Sequence, residues 1–113
     1  MQAFAFLALL LVGSAAAQEN HYSVFEGTYV VWFEVSRFTP KDTHEAWWLS
    51  GKVPCLDKFT KVGDEDSEPL YLHLEVRGTL SPEGHYGHLG GYSRELEVTE
   101  VLSCRRATHD EAK

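Results

Sequence analysis

Charge is missing from the first seventeen residues, "MQAFAFLALLLVGSAAA", and no apolar run in the chain is long enough to form an ordinary membrane span. Crossing a bilayer takes about 20 predominantly apolar residues, whereas the run here, Phe4 to Val12, is far shorter. A short apolar run followed by Gly13, Ser14 and three alanines instead has the form of a secretory signal peptide over residues 1–17. Ala15-Ala16-Ala17 satisfies the small-residue cleavage rule, which places the cut before Gln18; an uncleaved anchor is the rival reading. Residue 18 is not cysteine, so an acylated lipoprotein is not indicated. The segment carries no Lys or Arg ahead of its apolar stretch, an atypical feature.

Basic residues are also scarce, 10 against 17 acidic, and all of them follow residue 17, giving a net charge of −7. A field of that sign repels polyphosphates and anionic lipid, which argues against nucleic acid as a partner and against stable membrane insertion after cleavage. Cysteine occurs only twice, at Cys55 and Cys104. In an oxidising compartment the two are expected to pair; two ligating thiolates would require the export reading to fail. The chain is expected to be secreted or periplasmic.

Helix periodicity, internal repeats and heptads are absent as well. What remains is a series of strand-like runs. Gly27 to Phe38, "GTYVVWFEVSRF", is rich in β-branched and aromatic residues and reads as one strand, with Tyr29, Val31, Phe33 and Val35 on one face. "TPKDT" is turn chemistry, and His44 to Ser50, "HEAWWLS", reads as a second strand ending at Gly51. "LDKFTKVG" suits a single helical turn or a wandering strand, and "GDEDSEP" an acidic solvent loop. Leu70 to Leu80 alternates strictly, with Leu70, Leu72, Leu74 and Val76 on one face, and Gly78 marks a bulge or bend. Arg94 to Ser103 is the last strand, out of step at Val101, and 105–113 reads as a disordered polar tail.

These features predict an all-β protein with a single domain over 18–104. The expected architecture is a small antiparallel five-stranded OB-like barrel, with a lipocalin-like or sandwich meander as the alternative. "FEVSRF" with "EAWWLSG", and later "GTLSPEGHYGHLGGYSRELEV", resemble small exported bacterial proteins of OB-like fold and no established activity. The resemblance covers about residues 25–103. It implies a barrel and an exported location and brings no catalytic residues.

The chemistry-bearing residues concentrate in "SPEGHYGHLGGYSREL", Ser81 to Leu96. Phosphate cradles put their glycines between a strand and a helix start, and here a strand follows instead. His85 and His88 could reach one zinc or copper ion if the loop curls, but a site needs a third ligand from elsewhere. The glycines and histidines together are accounted for by a barrel corner, with Pro82 and Gly84 making a tight reversal. Trp47 and Trp48 are adjacent on a strand, so they point to opposite faces: one fills the core and the other looks outward. The outward one, with Tyr71 or Tyr92, would give a ligand platform for a sugar or peptide.

No serine sits in a nucleophile elbow, neither cysteine has an evident base, and no two glutamates are selected by spacing as an acid–base pair. The expected role is therefore non-catalytic: an exported binding or structural module for a glycan, peptide or protein partner. A metal-binding protein built on His85 and His88 is the alternative. No cofactor is otherwise implied.

Overall fold

The computed structural model describes residues 23–59 and 68–111. Residues 1–22, 60–67 and 112–113 lie outside the described residues, and with them the segment read as a signal peptide and most of the stretch expected to be an acidic loop. The described chain is nearly all strand: β1 (Ser23–Trp32), β2 (Val35–Pro40), β3 (Trp47–Gly51), β4 (Leu70–Leu80) and β5 (Glu95–Arg106), with one helical turn α1 (Leu56–Phe59) between β3 and β4. The strands close into a barrel in the order β1-β2-β3-β5-β4. β1 pairs with both β2 and β4, which seals the cylinder and leaves no full-length edge strand.

The expected five-stranded OB-like barrel is present, with one correction. β3 and β5 run parallel, from Trp48↔Glu95 to Gly51↔Val98, so the barrel is mixed rather than antiparallel. The α1 crossover and β4 intervene between these two strands, which lets them align in one direction.

A second correction concerns "GTYVVWFEVSRF". It is a tight hairpin, in which Trp32 pairs with Val35 across a two-residue turn of Phe33 and Glu34. Glu34, the second turn residue, takes the left-handed conformation (φ 58°), which non-glycine residues seldom adopt. Phe33 and Val35 therefore do not continue the face begun by Tyr29 and Val31.

The alternation of β4 holds along its length: Leu72, Leu74 and Val76 are fully buried and face inward. They pack with Phe38 of β2, Trp47 and Leu49 of β3, and Leu96 and Val98 of β5 in one core cluster. Tyr29 is the polar exception in that interior. Its hydroxyl lies 2.9 Å from Ser36 Oγ, which donates to the Leu49 carbonyl at 2.7 Å and so ties β1, β2 and β3 together. Burial pushes the Tyr29 phenol above its usual pKa, with the Ser36 contact opposing that rise.

The irregularities expected near Gly78 and Val101 are bulges in one ladder. Register shifts fall between Glu75 and Val76 and between Arg77 and Gly78, where β5 carries Leu102 and Thr99 as extra residues. Cys55, just before α1, is bonded to Cys104 of β5, forming the expected disulfide.

The expected boundary between barrel and tail moves. β5 continues to Arg106, the Ala107 amide donates to the Tyr71 carbonyl at 2.8 Å, and Ala107 is buried. Thr108 and Glu111 exchange hydrogen bonds, each backbone N–H meeting the other's side chain, as in a helix capping box. Arg105 then grips the Glu111 carboxylate through two nitrogens.

Candidate functional site

The β4–β5 connection, Ser81 to Arg94, prolongs its hairpin. The Gly84 amide donates to the Ser93 carbonyl at 2.8 Å, and Tyr86 and Tyr92 exchange two backbone hydrogen bonds. Beyond that rung the chain makes a 3₁₀ turn at His88–Gly90 and returns. Arg94 braces the base by donating to the Ser81 carbonyl at 2.9 Å and facing Glu83 at 3.7 Å. Tyr86 closes the first bend through its hydroxyl, which donates to the Pro82 carbonyl at 2.9 Å. The loop is thus held by its own hydrogen bonds, as a barrel corner should be, but it extends past what a corner needs.

Its tip lies on Trp48. A Cβ built at Gly87 would sit 2.5 Å from the indole ring, and Gly87 has φ 74° and ψ −158°, a region open in practice only to glycine. Trp48 also meets Tyr92 edge-on, with ring centroids 5.4 Å apart. Of the two adjacent tryptophans, Trp48 is therefore the outward one, half-buried beneath the loop. Trp47 is in the core, edge-on to Phe25 at 5.6 Å and stacked with Phe38 at 6.2 Å. Its Nε1 has no hydrogen bond of good geometry. It still assists the Ser93 hydroxyl, the main cause, in holding the Glu45 carboxyl below its ordinary range.

Tyr71 does not join this cluster. It packs against His109 of the C-terminal segment, with centroids 5.3 Å apart, at the β1–β4 side of the barrel. The expected platform thus divides into a Trp48–Tyr92 pair under the loop and a separate Tyr71.

The histidines are likewise separated. His73 lies 2.9 Å from Glu26, whose other carboxylate oxygen meets Lys41 at 3.0 Å; Glu26 is held below its ordinary pKa first by Lys41 and then by His73. His85 is exposed. His88 points to the β1–β2 turn, with Nε2 3.4 Å from Glu34 Oε1. Among the described residues no group of three or more His, Cys, Asp or Glu side chains is placed to hold a metal ion.

The His88–Glu34 contact exposes what the sequence reading missed. It joins the tip of the β1–β2 turn to the tip of the β4–β5 loop, and both tips carry bare apolar side chains. Trp32 is 54% exposed, Phe33 75% and Leu89 89%. Leu89 also has φ 56°, and with Glu34 it completes the set of left-handed non-glycine residues among those described. A bulky apolar residue held in that conformation and in water is costly twice over, in backbone strain and in exposed surface. Sequence gave one usable signal for this rim, the density of aromatics at Trp32–Phe33. Their exposure became visible only once the chain was seen to turn there.

Barrel and loops together define a small OB-like module whose β1–β2 and β4–β5 loops come together at one end through Glu34 and His88. No family model, curated protein or solved structure matches the chain. Among the described residues no helix is long and apolar enough to cross a membrane.

Proposed function

We propose that this protein is a non-catalytic, exported binding module that engages a partner protein through the rim of Trp32, Phe33 and Leu89. The observation that carries this reading is the clustering of those three exposed side chains on two loops clasped by His88 and Glu34. Apolar surface gathered on two adjoining loop tips is the usual mark of an interaction site. Scaled by their present exposure of 54%, 75% and 89%, withdrawing the three side chains from water is worth about 3–6.5 kcal/mol before the costs of association, at about 1.5–3 kcal/mol for each fully buried chain. A rim that holds the aliphatic Leu89 as well as two aromatics suits an apolar cleft on a partner protein. A net charge of −7 turns the choice toward neutral or cationic partner surfaces.

Export is supported by the signal-like sequence of residues 1–17 and by the Cys55–Cys104 disulfide, since such bonds persist in oxidising compartments. The metal alternative lacks a third ligand for His85 and His88 among the described residues, and His88 is engaged with Glu34.

The test is photo-cross-linking from position 33 in cells that export the protein. Adducts to one discrete protein from position 33, and none from the exposed Val24 in β1, are expected. The same diffuse adducts from both positions would refute the reading.

A further inference from the structure

A second feature stands apart from the rim, where the barrel seam opens. The parallel pairing of β3 with β5 ends at Gly51↔Val98. From there β3 leaves through Lys52 into α1, while β5 continues through both of its extra residues, Thr99 and Leu102. Between the two lies a groove of about 570 Å³, within the size range of small-molecule sites. Pro54, Val101, Leu102 and the Cys55–Cys104 disulfide give it an apolar floor, and Leu102 is 39% exposed toward solvent.

Its charge runs against that of the protein as a whole. Lys52 and Lys58 line the groove, and neither has an ion-pair partner among the described residues. The one acid in the lining, Glu100, is already bound to Arg77 at 2.5 Å. The cavity of about 340 Å³ beside His73 offers no such surplus, because Lys41 and Arg105 there are matched by Glu26 and Glu111.

We propose that this groove is a binding site for an amphiphilic anion, an unbranched fatty acid. Its chain lies along Val101, Leu102 and Pro54, and its carboxylate faces Lys52 and Lys58. An apolar floor supplies the binding energy while the two ammonium groups select an anionic head. The bulges in β5 have a role in this arrangement: they bend the strand away from β3 and turn Leu102 outward.

The experiment is an amide NMR titration of the full exported chain with sodium decanoate below its micelle-forming concentration. Saturable shifts confined to residues 52–58 and 99–104 are expected, with the amides of Phe33 and Leu89 unmoved. A doubly substituted Lys52→Gln/Lys58→Gln protein should bind decanoate about tenfold more weakly, as expected for two exposed charge contacts. It should bind neutral decanol as the parent does. Leu102→Asp should remove decanoate binding while near-ultraviolet circular dichroism shows the barrel intact. Absence of saturable shifts would overturn the assignment, as would equal decanoate affinity in the doubly substituted protein. Co-sedimentation with phosphatidylglycerol vesicles without a response to monomeric decanoate would also overturn it, by assigning the groove to a lipid headgroup. None of these outcomes bears on the rim, whose partner is sought by cross-linking.

Discussion

Substituting Gly87 by alanine should be among the most damaging small changes in the molecule, and the neighbouring Gly90→Ala isolates the reason. Both glycines have positive φ, 74° and 67°. At Gly90 an added Cβ meets only the His85 Cβ, at the ordinary contact distance of 3.5 Å. The expected cost there is backbone strain of about 1–2 kcal/mol, less about 0.4–1 kcal/mol regained from a stiffer unfolded chain, so roughly 0–1.5 kcal/mol. At Gly87 the backbone is in the glycine-only region, worth about 1–3 kcal/mol of strain. The new methyl would also stand 2.5 Å from the Trp48 ring, about 1 Å inside normal contact, and overpacking of that kind costs about 1–3 kcal/mol. With the same unfolded-state correction the total is about 1–5.5 kcal/mol. Urea denaturation followed by far-ultraviolet circular dichroism gives both numbers, and near-ultraviolet circular dichroism reports the Trp48–Tyr92 contact. Gly87→Ala should lose that signature and Gly90→Ala should keep it. Equal destabilisation by the two substitutions would show that the loop does not lie on Trp48 and would remove the basis for placing Leu89.

Other outcomes follow from the same geometry. Replacing Cys55 and Cys104 by serine opens a loop with a sequence separation of 49. That should cost about 4 kcal/mol on the chain-entropy account, read as a lower urea midpoint against the oxidised parent. Trp47→Ala should destabilise by about 3–5 kcal/mol because it empties the centre of the barrel, whereas Trp32→Ser should leave stability within about 0.5 kcal/mol. Glu111 is held down to about 2 from 4.5, chiefly by Arg105 and next by the Thr108 amide. A depressed acid stabilises above its unfolded pKa and loses that contribution as pH falls. The C-terminal segment should therefore loosen between about pH 4.5 and 2, seen as faster exchange of the Ala107 amide, and Glu111→Gln should loosen it already at pH 7.

How much of this could be read from the chain depended on whether the determining physics was local. The β4 strand was plain because strict alternation of Leu72, Leu74 and Val76 with Tyr71, His73 and Glu75 has one structural solution. The disulfide was readable because a chain with only two cysteines has one possible intramolecular pairing. The first hairpin was hidden because its turn, Phe33-Glu34, uses none of the residues that announce a reversal; the flanking strands force Glu34 into the left-handed region. Parallel alignment of β3 with β5 is set by the path of the crossover, which no local pattern encodes. At the C-terminus a signal was present and unused: Thr108-x-x-Glu111 is a capping box, and it fixes residues expected to be a free tail.

The rim shows the same division. Trp48 and Tyr92 were identifiable as aromatic resources, yet loop packing consumes most of their surface. Trp32, Phe33 and Leu89 became candidates only when their positions at two adjoining tips were known. Exposure at a loop tip is a property of where strands end, and sequence alone fixes strand ends poorly.

The central claim is that two clasped loops hold an apolar rim for a partner. Its most direct test compares partner retention, from an extract of the exporting cells, by immobilised parent protein, Phe33→Ser/Leu89→Ser and Leu102→Ser. The account predicts a discrete partner retained by the parent and by Leu102→Ser and lost from the rim double variant, all three being equally folded. Equal retention by the rim variant would contradict it.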